Sequence, residues 1–216
     1  MLLRADFTER AFVDTRNAAW VPSPLPGVER IMLDRVGDEV ARATSIVRYA
    51  PGSRFSTHEH GGGEEFLVLD GEFCDADGVY PAGSYVRNPR GTRHAPWSEK
   101  GCTLFVKLWQ IPEEDGASVR VISAVASCAL REGEDERIEV VHETAREWVA
   151  LVSLRAGHEG REHDHPEGEE ILVLAGLLED EYGVYEAGTW LRQPRGSHHR
   201  WRSRRGATFY VKRGLI

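Results

Sequence analysis

The chain has 216 residues, 41% apolar and 29% charged, which allows one large domain or two small ones, each with its own core. Lys and Arg against Asp and Glu give 27 − 35 = −8, so the surface repels phosphate backbones and no nucleic-acid partner is expected. No stretch reaches the length of a membrane span, no apolar export segment is visible, and Cys74, Cys102 and Cys128 form neither a disulfide framework nor a Cys-x-x-Cys pair, which points to the cytoplasm and away from a membrane.

In chain order, residues 1–30 read as an extended, turn-rich N-terminal segment, with Pro22-Ser-Pro-Leu-Pro26-Gly27 as its punctuation. Residues 31–112 hold short runs of β-branched and aromatic residues: Thr44–Tyr49, Phe66–Leu69, Ser84–Arg87 and Thr103–Trp109. A linker with a first strand follows over about 112–135. Residues 113–216 then repeat the pattern with Trp148–Leu154, Ile171–Leu174, Thr189–Arg192 and Thr208–Lys212. Gly and Pro separate the runs at intervals typical of a sandwich or barrel. Only Glu143–Arg146 hints at a helical turn. The arginines at 200, 202, 204 and 205 read as a solvated turn. The expectation is an all-β protein of two jelly-roll barrels.

The chain matches itself at an offset of 105 residues. His58-Glu-His60-Gly-Gly-Gly-Glu64-Glu65-Phe-Leu-Val-Leu-Asp-Gly71 aligns with His163-Asp-His165-Pro-Glu-Gly-Glu169-Glu170-Ile-Leu-Val-Leu-Ala-Gly176. Gly83 to His94 aligns in the same way with Gly188 to His199. From Gly52 to Lys107, 26 of 56 positions are identical to Gly157 to Lys212, without a gap. A tandem duplication follows.

Each copy carries one candidate metal site. His58 and His60 are two apart, so on a strand both imidazoles project to one face. Glu64 follows three glycines that let the backbone turn sharply. His94 follows a Pro-Arg-Gly turn. The second set is His163, His165, Glu169 and His199. Three imidazoles and one carboxylate suit a divalent transition metal, one per barrel: zinc or iron first, with manganese and nickel also compatible. Glu65 and Glu170 are expected to point the other way. His142 and His158 read as surface residues, and Cys102 as a small core residue. Phe55, Phe66, Tyr85 and Trp97 are candidate linings of a substrate pocket in the first copy, and Ile171 and Trp190 in the second.

These motifs resemble the cupin superfamily. Its first motif corresponds to Gly52, His58, His60, Glu64 and Gly71, and again to Gly157, His163, His165, Glu169 and Gly176. Its second corresponds to Gly83, Pro89, Gly91 and His94, and to Gly188, Pro194, Gly196 and His199, with Ser98 and Ser203 where the motif has Asn. The resemblance implies a bicupin of double-stranded β-helix barrels. The wording Glu-Glu-Phe-Leu-Val-Leu-x-Gly and Tyr-Pro-Ala-Gly-Ser-Tyr-Val-Arg-Asn-Pro is similar to the cupin domain of the ChrR family of anti-sigma factors. That likeness implies a regulatory or stress-sensing metal module. The family's sigma-binding segment uses His and Cys ligands, and residues 1–30 contain neither, so direct sigma-factor binding is not expected. The alternative implied by other small cupins is an iron-dependent dioxygenase cleaving diketone or hydroxyacetophenone-like substrates. A small-molecule ligand fits either reading. Bicupins commonly arise by fusion of a homodimer, and a further homodimer is compatible with free sheet edges.

Overall fold

A computed structural model describes residues 1–38 and 40–214. Almost all regular structure among the described residues is antiparallel strand, with one helical turn at Ala124–Ser127. The chain forms two compact units. One contains Met1–Ala5 and Ala19–Ala124; the other contains Asp6–Ala18 and the chain from Val125 onward.

In the first unit the main sheet runs in the spatial order Leu2–Leu3, Val28–Gly37, Ala41–Tyr49, Cys102–Leu108, Glu64–Asp75, Tyr85–Asn88, Val119–Val121. In the second the order is Glu136–Glu143, Trp148–Leu154, Ala207–Arg213, Glu169–Asp180, Thr189–Gln193, Ala11–Asp14. The last strand of each sheet comes from outside the repeated sequence. Val119–Val121 pairs with Tyr85–Asn88, and Ala11–Asp14 pairs with Thr189–Gln193. Covering the edge in this way satisfies backbone groups that would otherwise template another chain.

Alternation along the strands sorts the side chains. Phe66, Val68, Val86, Leu104 and Val106 share one core; Ile171, Val173, Leu191, Phe209 and Val211 share its counterpart. The long strands Glu64–Asp75 and Glu169–Asp180 serve two sheets each. Their first halves lie in the main sheet, and their second halves pair with Gly78–Pro81 and Gly183–Glu186. The bend falls at Gly71 (φ +73°) and Gly176 (φ +72°). A Cβ at Gly71 would lie 2.2 Å from the Gly101 carbonyl oxygen, and one at Gly176 2.0 Å from that of Gly206. Only glycine allows both that φ and that approach. The bend rolls each sheet over so that its histidine-bearing segments face the start of the long strand.

Three local expectations need correction. Glu143 ends a strand and residues 145–146 form a bend, so 143–146 is not helical. His142 is buried, at 8% exposure, because a register shift between Val140 and His142 turns it away from solvent. Arg200 and Arg202 lie on the strand Ser197–Ser203 rather than in a turn, and Arg202 and Arg204 flank the buried Glu179 at 4.0 and 2.8 Å. All three cysteines are free and buried, and burial pushes the Cys102 thiol up to about 11, far from thiolate chemistry. No helix among the described residues is long and apolar enough to cross a membrane.

Candidate metal centres

In the first unit His58 lies directly across the ladder from His94. His60 follows two residues on. Gly61, Gly62 and Gly63 then carry the chain under Trp109 and Ile111. A Cβ at Gly62 would sit 2.3 Å from the Trp109 ring, and one at Gly63 2.6 Å from Ile111. Gly63 also takes φ +76°. This tight turn returns Glu64 to the histidines. His60 Nε2 and His94 Nε2 stand 3.2 Å apart, with Glu64 Oε1 at 3.5 and 3.8 Å from them. All four donor groups lie within 4.8 Å of one another.

The outer ring nitrogens explain why the inner ones point inward as lone pairs. His58 Nδ1 donates to the Ser56 carbonyl at 3.2 Å. His60 Nδ1 donates to Thr92 Oγ1 at 3.0 Å, since that hydroxyl donates its own proton to the Pro89 carbonyl. His94 Nδ1 donates to Asp75 Oδ2 at 3.1 Å. With the proton held on Nδ1, each Nε2 is free to ligate. Burial pushes the His60 imidazole below its ordinary pKa, which favours the neutral, ligating form. Asp75 is opposed by burial, but the His94 hydrogen bond, the Asp77 amide and the Tyr80 hydroxyl hold it below the usual carboxylate range.

A polar ring closes behind the donors. Asn88 Nδ2 donates to Glu64 Oε1 at 3.2 Å, and Arg120 donates to Asn88 Oδ1 at 2.6 Å and to the Tyr80 hydroxyl at 3.1 Å. Tyr80 in turn donates to Asp75 at 3.1 Å.

The second unit repeats the arrangement. His165 Nε2 and His199 Nε2 are 2.8 Å apart, with Glu169 Oε1 at 3.5 and 3.3 Å. His163 Nδ1 donates to the Arg161 carbonyl at 3.0 Å. His199 Nδ1 faces Asp180 Oδ2 at 3.6 Å and the Gln193 amide at 3.4 Å. Arg10 takes the place of Arg120, reaching Gln193 Oε1 at 3.0 Å, Asp180 at 3.3 Å and the Tyr185 hydroxyl. Burial pushes His165 down to about 4. Burial would raise Glu169, but His199, His165 and Arg213 outweigh it and bring the carboxyl to about 2.

These residues fit a cation. His165 Nε2 and His199 Nε2 face each other at 2.8 Å, and His165 Nδ1 is buried with no hydrogen-bond partner among the described residues. Glu169 Oε1 is buried and makes no well-formed hydrogen bond. A shared positive ion relieves both conditions, and three nitrogens with one oxygen suit the first-row divalent metals.

A cavity of about 400 Å³ adjoins the first centre, lined by Val47, Tyr49, Phe55, His58, Val106 and Trp109 among others. One of about 570 Å³ adjoins the second, lined by Trp148, His163, Trp201, Phe209, Val211 and Arg213 among others. Phe55 therefore faces the first cavity. Phe66 lies deeper, packed on Phe73 at 4.8 Å between ring centres, and Ile171 is fully buried in the second core. Trp97 is half-buried, with the Arg54 guanidinium 6.0 Å from its ring centre. Tyr85 and Trp190 do not line a pocket beside the donors. They sit on the opposite face of the sheet, where Tyr85 donates to Glu65 at 3.2 Å and Trp190 to Glu170 at 2.6 Å. Glu65 and Glu170 thus point away from the donors, and His198 is exposed beside His199.

The supporting residues were not singled out from the sequence. Asp75 with Asp180, and Tyr80 with Tyr185, are identical at the repeat offset, and that was a usable signal. Arg10 and Arg120 carried no such signal, because they lie outside the repeat.

Two double-stranded β-helix barrels, each with a His, His, Glu, His group at one end, define the chain as a bicupin. It belongs to the ChrR cupin-like domain family, whose model matches residues 8–112 and 125–216. No curated protein sequence matches it. Its fold is similar to that of a candidate dioxygenase from Nostoc punctiforme (TM-score 0.76, 14% identity, 94% of this chain and 82% of that one). It is also similar to protein Ylba from E. coli (0.71, 13%, 98% and 93%) and to a single-substitution variant of oxalate decarboxylase from Bacillus subtilis (0.61, 12%, 94% and 77%). At these identities the likeness concerns the fold.

Proposed function

We propose that each barrel holds one divalent transition-metal ion on three histidines and one glutamate, and that the chain acts as a ChrR-type regulatory or stress-sensing module. The observation that carries the metal reading is the orientation of the imidazoles. In the first unit all three Nδ1 atoms are held by acceptors, so three Nε2 lone pairs converge on Glu64. A bound ion supplies Lewis acidity and, where a coordination position stays open, a place for a small molecule. The residues around it do the rest. Asp75 and Asp180 orient the third histidine, Trp109 and Ile111 hold the glycine turn, and each cavity gives a small molecule access to one side of its centre. The regulatory role is supported by family membership.

A second reading, an iron-dependent dioxygenase, is favoured by the largely apolar cavities reaching His58 and His163. One preparation tests both. Elemental analysis of protein purified from metal-supplemented medium is expected to give two metal ions per chain. Less than one ion per chain would sink the metal reading. Oxygen consumption on a β-diketone by the iron-loaded chain would favour the dioxygenase; stable metal without turnover favours the regulatory module.

A further inference from the structure

The strands Cys102–Leu108 and Ala207–Arg213 end differently beside the two centres. In the first unit Leu108 lies opposite Glu64; in the second Arg213 lies opposite Glu169. Arg213 Nε donates to Glu169 Oε2 at 2.8 Å, and its Nη2 comes within 3.5 Å of His163 Nε2. The guanidinium carbon is 5.0 Å from the centre of the Trp148 ring. Glu169 is fully buried, but the Arg213 side chain is 44% exposed and lines the second cavity.

That geometry uses one corner of the guanidinium. Nη1 has no protein acceptor among the described residues. A cation on His163 would take the lone pair that Nη2 now approaches, leaving both terminal nitrogens turned to the cavity with no acceptor. Charge points the same way. A divalent ion with one carboxylate leaves one positive charge at the first centre; the guanidinium makes it two at the second. The other walls include Trp148, Val152, Leu154, Trp201, Phe209 and Val211. The acidic side chains of that cavity, Glu136 and Glu159, belong to exposed residues, where water screens them.

We infer that the second centre is a carboxylate site. Arg213 holds the carboxylate of an apolar organic acid beside the metal, and the acid's hydrocarbon body lies against Trp148 and Trp201. A planar fork binds a carboxylate through two parallel hydrogen bonds, and an aromatic wall accepts an aryl or branched aliphatic body. The first centre, with Leu108 in that place, lacks the fork. This rests on the metal reading above, and the test separates the two.

The full chain is loaded with zinc, its zinc content measured, and benzoate titrated in while tryptophan fluorescence and heat are followed. Benzyl alcohol, the neutral analogue of similar shape, serves as the comparison. The expected result is two zinc ions and one benzoate per chain, with benzyl alcohol at least about ten-fold weaker. Arg213→Leu is expected to weaken benzoate about ten-fold or more, and Arg213→Lys, which keeps the charge without the fork, by less. A wild-type chain that takes up no zinc overturns the metal reading itself. A chain with two zinc ions that binds no benzoate, binds benzyl alcohol equally well, or keeps full benzoate affinity as folded Arg213→Lys and Arg213→Leu, overturns the carboxylate site.

Discussion

Glu64 and Glu169 occupy the same place in two copies of one design, yet they live differently. The Glu64 side chain is 14% exposed, takes its hydrogen bond from the Asn88 amide and faces Leu108 across the ladder. Glu169 is fully buried and clamped by Arg213. The third histidine differs as well. His94 reaches its aspartate at 3.1 Å, whereas His199 stands 3.6 Å from Asp180 with Gln193 beside it. Duplication has kept the donors, whose directions are dictated by lone pairs, and has let the neighbours that set local charge drift apart. The first group holds its third histidine closer to an aspartate, and the second carries an extra guanidinium.

That comparison breaks most directly at the donors. The pair His60→Ala and His94→Ala is expected to remove one metal equivalent and leave the other, and the pair His165→Ala and His199→Ala to do the converse, as read by elemental analysis. Loss of both ions from either double variant would mean that the centres are not independent. Next in size are the bends. Gly71→Ala and Gly176→Ala force a Cβ into a carbonyl oxygen at positive φ, and each is expected to cost about 3 kcal/mol in a denaturant titration. Similar costs would show that the scaffolds stayed alike while the centres diverged.

Smaller effects separate the outer residues. Asp75→Asn is expected to weaken the first centre about 10–100-fold in competition with a chromophoric chelator. Asp180→Asn should weaken the second by less, because Gln193 shares the orientation of His199. An equal or larger loss at the second centre would remove the proposed difference in ligand support. Smallest is a pH effect on the metal-free chain. His165 is held near 4 by burial, below its ordinary 6.5, so the unfolded chain takes up the proton first as pH falls. The contribution of neutral His165 to stability is therefore whole above pH 6.5 and lost progressively toward pH 4. His165→Gln is expected to flatten that part of the stability profile. His60 shifts in the same direction for the same reason.

Much of this was legible before the fold. The duplicated spacing of His58, His60, Glu64 and His94 pointed to the two groups that the fold brings together, since four such residues recurring as a set at one offset stand out from the rest of the repeat. The orientation of Glu65 and Glu170 followed from strand alternation alone. Tyr85 and Trp190 were misjudged because their face depends on which residue they oppose. Tyr85 pairs with Leu67 and Trp190 with Leu172, which puts both on the side of Glu65 and Glu170. Register between strands far apart along the chain is not written in local periodicity. His142 was misjudged because a bulge, which shifts every later side chain by one face, leaves no mark in composition.

The amino-acid sequence by itself determined that there are two copies, that each is a β-barrel, and which side chains could meet a cation, because hydrophobic alternation, glycine turns and ligand chemistry are all local or periodic properties. The tertiary structure alone decided which nitrogens face inward, which strand closes each sheet, and that Arg10, Arg120 and Arg213 stand near the donors. Those are matters of hydrogen-bond geometry and charge between residues far apart along the chain, and only the folded backbone sets those distances.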